Sequence, residues 1–194
     1  MSLCRWLFSA GVAVLVAIAA FATPASADKR IASSGYYTEA GAGATFFLGD
    51  AADYSQTGLS VEVRTGYELT SWFGVGLFGS ASTHEATVPP PPEGEYYQLY
   101  SVGAEARLGF LIGPIGLFAD GGIGVGIMSS NVLSRVDVVD PDESLSLALR
   151  AGAGLEYQLR NRHYAIGLAG QWMSLPGFAD TQGVATRLYL RYTY

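Results

Sequence analysis

From Tyr37 to the last residue the sequence alternates, apolar or small at one position and polar, charged or glycine at the next. Eight stretches carry this pattern: Tyr37 to Leu48, Leu59 to Tyr67, Trp72 to Ala81, Tyr97 to Phe110, Ile115 to Met128, Ser144 to Leu159, Tyr164 to Met173 and Val184 to Tyr194. A period of two is what a β-strand with two different environments requires, and there is little sign of the 3.6-residue period of an amphipathic helix. Most stretches reach the roughly 9 to 11 residues with which a tilted strand crosses the hydrocarbon core of a bilayer. The connections alternate in length as well. Glu68 to Ser71, Leu111 to Pro114 and Arg160 to His163 are short, whereas Gly49 to Gly58, Ser82 to Tyr96, Ser129 to Glu143 and Ser174 to Gly183 are longer. Such asymmetry predicts an all-β fold, an eight-stranded antiparallel up-and-down transmembrane β-barrel with short periplasmic turns and long extracellular loops.

A soluble barrel around a ligand cavity alternates too, so the chemistry of the two faces has to decide. One parity carries Ala40, Ala42, Ala44 and Phe46, Leu59, Val61 and Val63, Phe73, Val75 and Leu77, Ile123, Val125 and Ile127, and no charge. The other holds Glu39, Glu62, Glu105, Asp120 and Glu156 with Arg64, Arg107, Arg150, Arg187 and Arg191, together with most strand glycines. A narrow lumen needs small residues beside its few long ones, whereas a water-facing exterior does not, so the charged face points inward. Tyr67, Phe73, Phe110, Tyr157, Tyr164, Tyr192 and Tyr194 gather at the short-turn end, and Phe46, Tyr100 and Trp172 lie toward the loops, as two interfacial belts.

The start of the chain reads as a secretory leader. Arg5, an apolar run from Leu7 to Phe21 and Ala25-Ser26-Ala27 supply its three parts over residues 1–27. Residues 28–36 are then a short periplasmic segment and 37–194 the barrel. Cys4, the only cysteine, falls in the leader, which excludes a disulfide framework, a cysteine-ligated metal and a cysteine nucleophile in the exported form. Removing Arg5 takes the formal net charge from −6 to −7, a balance unsuited to nucleic acid. Export through the Sec pathway to the bacterial outer membrane is the expected route, with the outer-membrane assembly machinery, outer-membrane lipids and lipopolysaccharide as partners.

The inward acids and arginines balance, and Glu62/Arg64 and Glu105/Arg107 are adjacent inward pairs, so a self-neutralising salt-bridge network filling the lumen is expected. No catalytic or metal residues and no cofactor are expected. His84-Glu85 begins like a zinc-protease helix motif, but no second histidine follows at the spacing and the prolines forbid the helix. Gly121 to Gly126, GGIGVG, is neither a dinucleotide fingerprint nor a P-loop. The two histidines, His84 and His163, are expected at opposite ends of the barrel. The stretch HEATVPPPPEGE is the other candidate site. Pro89, Pro90, Pro91 and Pro92 make a stiff polyproline II segment flanked by His84, Glu85, Glu93 and Glu95, a preorganised element for docking a partner. The acidic stretch DVVDPDE lacks the spacing of an EF-hand loop and reads as solvated charge. Leu188, Leu190, Tyr192 and Tyr194 resemble the C-terminal signal by which such barrels are recognised for insertion.

The chain as a whole resembles the small OmpA/OmpX-type outer-membrane barrels. More narrowly, the runs SSGYYTEAGAGATFF, SASTHEATVPPPPEGEYYQLY, SSNVL, LEYQLRNRHYAIGLAG and RLYLRYTY resemble the adventurous gliding-motility envelope proteins of myxobacteria, of the CglE type. That resemblance implies a non-enzymatic component of a surface gliding apparatus, linked to adhesion and docking other envelope proteins of that apparatus through its loops or periplasmic rim. The alternative is a general envelope barrel that stabilises the membrane or forms a narrow pore.

Overall fold

The computed structural model describes residues 35–87, 94–129, 144–160 and 163–194. The expected leader, Pro89 to Pro92, Glu93 and the stretch DVVDPDE lie outside the described residues. Eight strands run in chain order: β1 Tyr36–Leu48, β2 Gly58–Glu68, β3 Phe73–Glu85, β4 Tyr96–Ile112, β5 Ile115–Met128, β6 Leu145–Gln158, β7 Tyr164–Leu175 and β8 Thr181–Thr193. Each pairs antiparallel with its sequence neighbours, and β1 with β8 closes the barrel. Closure matters because an open edge would leave unpaired N–H and C=O groups in hydrocarbon, where no water can satisfy them.

The register explains the glycine-rich inner face. Glu62 stands between Gly41 and Ser80 on the neighbouring strands, Glu105 between Gly76 and Gly122, and Glu156 between Gly116 and Gly167. Each long charged side chain therefore crosses the lumen over a neighbour with little or no side chain. Outward, the same alternation leaves Leu59 81 % exposed and Leu188 61 % exposed, with Val61, Val63, Leu77, Ile123 and Leu147 also on the outside. An apolar exterior of this extent fits lipid and not water. Aromatic rings close the band at the short-turn end, where Tyr36 meets Tyr194 at 5.1 Å and Tyr192 meets Tyr194 at 4.8 Å and Tyr164 at 4.9 Å.

Several boundaries differ from the sequence reading. The strand β1 starts at Tyr36, one residue earlier than expected. The strand β3 continues past Ala81 to Glu85, so His84 and Glu85 are strand residues and not part of a loop. Its extension is held by the first loop, where a short helix α1, Ala51–Tyr54, folds back over the barrel. Gln56 N–H donates to the Glu85 carbonyl at 2.9 Å and Thr87 N–H to that of Tyr54 at 3.1 Å, bonds that period-two patterning does not reveal. Glu68, assigned to a turn by sequence, is the inward last residue of β2. The expected long loop Ser174 to Gly183 shrinks to Pro176 to Asp180, because β7 and β8 remain paired as far as Leu175 and Thr181. The backbone turns there through Ala179 at φ 45° and Asp180 at φ 52°, a left-handed pair for which non-glycine residues are uncommon. At the opposite end Gly113, at φ 63°, supplies the positive angle that the two-residue β4–β5 turn needs.

Close backbone approach at the β1–β8 seam gives a direct test. A Cβ on Gly43 would overlap the Thr186 carbonyl, whereas one on outward-facing Gly79 meets nothing within 4 Å. Gly43→Val is expected to destabilise the barrel by about 1 to 3 kcal/mol or to block closure, while Gly79→Ala is neutral. Heat-modifiability on gels after refolding distinguishes the two; equal behaviour would remove the steric argument.

Candidate functional site: a charged lumen under an apolar cap

The ten inward charges meet in the lumen, and Glu68 joins them. Arg64 lies at the centre: its Nη1 is 2.8 Å from Asp120 Oδ2 and 2.9 Å from Glu105 Oε2, and its Nε donates to Glu62. Glu62 also accepts from Arg150 and pairs with Arg187. Nearer the turns, Arg107 grips Glu39 with both terminal nitrogens at 2.5 and 3.0 Å, the bidentate fork that suits a confined carboxylate. Arg191 pairs with Glu68 and approaches Glu156 at 3.6 Å and Glu39 at 3.7 Å. Tyr189 Oη donates to Glu156 at 3.2 Å, and Gln171 Nε2 to Asp120 at 3.2 Å.

Strand pairing brings these groups together before any rotamer is chosen. Glu39 sits opposite Arg64 on one side and Arg191 on the other, and Arg107 sits opposite Asp120. Aromatic rings fill the space between charges and hold the guanidinium planes. Arg107 stacks over Phe118 at 4.2 Å, Arg150 over Phe78 at 4.2 Å and Arg191 over Tyr37 at 4.1 Å. Sequence reasoning missed Phe78, Phe118, Tyr37 and Tyr189; their inward parity, on the same face as the arginines, was the available signal.

Above the charges lies a second layer that the sequence did not announce. Phe47, Tyr97, Leu99, Met128, Ala148 and Leu175 point inward at the loop end and pack with Ala51 of α1, Ala86 and Phe178 of the β7–β8 connection. His84 belongs to this layer. It is fully buried, 4.6 Å from the Phe47 ring and 5.4 Å from that of Tyr97. Its ring nitrogens are satisfied, Nδ1 at 3.1 Å from the Gln56 carbonyl and Nε2 at 2.9 Å from Ser82 Oγ. The docking role expected for His84 is therefore corrected: as a buried residue of an apolar cap it presents nothing to a partner. Glu85 sits at the lip of β3, and Glu95 precedes β4, its carbonyl accepting from Ala86 N–H at 2.8 Å. His163 is at the other end, bonded to the Thr193 carbonyl at 2.8 Å. Leu188, Leu190 and Tyr194 lie on the exposed face of β8 and its end. Among the described residues no group of histidine, cysteine, aspartate and glutamate could hold a metal ion.

A closed eight-stranded antiparallel barrel with an apolar exterior and an ionic interior is the architecture of the small outer-membrane proteins. The family described as outer membrane protein beta-barrel domain matches residues 13–173, and the chain belongs to it. Neisserial surface protein A is similar, at 16 % identity over 83 % of this chain and 98 % of that one, with a TM-score of 0.61. Weaker likenesses include the outer membrane enzyme PagL (20 % identity, 81 % and 99 % coverage, TM-score 0.46) and the attachment invasion locus protein Ail of Yersinia pestis (17 %, 83 % and 99 %, TM-score 0.49). At these identities the likeness speaks to fold alone. No curated protein matches the chain. The family places it in the bacterial outer membrane.

The hub position of Arg64 yields a prediction. Arg64→Met leaves Asp120 and Glu105 without their central cation and should cost about 3 to 5 kcal/mol, whereas Leu59→Ala on the outer face should cost only the lost transfer free energy, about 1 to 2 kcal/mol. Urea titration of folded barrel in detergent, followed by tryptophan fluorescence, measures both; an unaltered Arg64→Met midpoint would mean that the network contributes no net stability.

Proposed function

We propose that this protein is a non-conducting, non-enzymatic barrel whose work is done at its rims, as a structural or docking element of the outer membrane. The observation that carries this reading is the double obstruction of the interior: ion pairs linking opposite walls along the lumen, and above them an apolar cap drawn from β1, α1, β4, β5, β6, β7 and the β7–β8 connection. A solute path would have to break both. Leu188, Leu190, Tyr192 and Tyr194 serve as the insertion signal read by the assembly machinery, and Pro89 to Pro92 with Glu85, Glu93 and Glu95 beside them are the docking element, without the buried His84. The gliding-apparatus role rests on the sequence runs quoted above. It fits a barrel that offers partners surfaces rather than a passage.

Planar bilayers test the closed state. The wild type and the double variant Phe47→Ala/Phe178→Ala are both expected to show no discrete conductance, because the charge layer persists when the cap is thinned; stepwise openings in the wild type would sink the reading. Docking is tested in the source bacterium by replacing Pro89 to Pro92 with Gly-Ser-Gly-Ser. Normal insertion with lost crosslinks to envelope proteins and impaired surface gliding is expected. Full gliding and unchanged crosslinks would leave the prolines as mere stiffening.

A further inference from the structure

Between the apolar cap and the charge network lies a chamber of about 30 Å³. Its floor is Arg150, Arg187 and Glu62, its walls include Ser60, Ser80 and Ser101, and its roof is formed by Leu99 and Leu175. We propose that this chamber binds one small monovalent anion of the halide type. Charge bookkeeping within the layer is the first reason. Arg150 and Arg187 share the single carboxylate of Glu62, which Arg64 also engages. Arg64 has Asp120 and Glu105 besides, whereas among the described residues the only other carboxylate paired with Arg187 is Glu39 at 3.8 Å, already gripped by Arg107. The floor that faces the chamber thus presents two guanidinium groups and one carboxylate, while Glu105 and Asp120 sit beneath it on Arg64.

Donor geometry is the second reason. Arg150 and Arg187 are both more than nine-tenths buried, and Arg150 Nη1 with Arg187 Nε and Nη2 make no hydrogen bond among the described residues. Water would satisfy such donors but leave the charge; an anion answers both demands. Nearby, Ser80 and Ser101 hydroxyls lie 2.7 Å apart, and a hydroxyl pair of this kind has one hydrogen left to donate. Size decides the class. A chamber with room for about two waters, at roughly 10 to 15 Å³ each, takes a single monatomic anion and not phosphate or a carboxylate metabolite. The site is independent of whether the barrel conducts.

The full chain, refolded in detergent, is heated in sodium gluconate progressively replaced by sodium chloride or bromide at constant ionic strength. Wild type, Arg150→Gln and Ser101→Ala are compared, and crystals grown in bromide are measured at the bromine absorption edge. The expected result is a saturable rise of the wild-type unfolding temperature with halide, a half-saturation about tenfold or more weaker in Arg150→Gln, and one bromide between Arg150 and Arg187. An unfolding temperature indifferent to halide, an unchanged halide response in Arg150→Gln, or a bromide-free chamber overturns the proposal. Should the variants not fold, the bromide position in the wild type decides it alone.

Discussion

Arginines and carboxylates enclosed by eight strands have nowhere to find water, so they must neutralise one another across the lumen, and much else follows from that necessity. Glycine is required on the flanking strands so that the side chains can cross. Aromatic rings are required to occupy the gaps beside the guanidinium planes without competing for their hydrogen bonds. The choice of arginine over lysine follows as well: a rigid fork with several donors can reach carboxylates on different strands, as Arg64 reaches Glu62, Glu105 and Asp120.

The outside follows from a different constraint. Hydrocarbon accepts no unpaired backbone group, which dictates closure through β1 and β8, and it accepts no charge, which dictates an exterior of leucine, valine, isoleucine and alanine. Both constraints act on every second residue, one on each parity. That is why the chain could be read so far without a structure: an uncharged parity and a charged parity in eight stretches leave few architectures. The charges also meet as their parity implied, because antiparallel neighbours bring same-face residues side by side.

The loop end was less legible, for physical reasons visible in particular residues. Period-two patterning reports which face a residue is on, not where pairing stops, so the extension of β3 through His84 depends on bonds with Tyr54 and Gln56, which lie far away in sequence. Phe178 stands in a Pro-Gly segment that reads as loop, yet it is fully buried. Its inward turn rests on the left-handed Ala179-Asp180 pair, a conformation that neither residue type advertises. The cap was hidden for the same reason: its apolar residues sit on the parity elsewhere reserved for charge, and nothing in the alternation sets Phe47 or Met128 apart as a layer of their own.

The connection that carries Phe178 couples closure of the sheet to closure of the lumen. The hairpin of β7 and β8 also supplies the strand that closes the circle against β1. Phe47, near the loop end of β1, packs in the same cap as Phe178. Joining the two ends of the sheet and seating the stopper thus depend on the same hairpin. A sheet with that hairpin detached from β1 would have both an open seam and an uncapped, hydrated charge layer, so the arginines lose their water only where seam and cap close together.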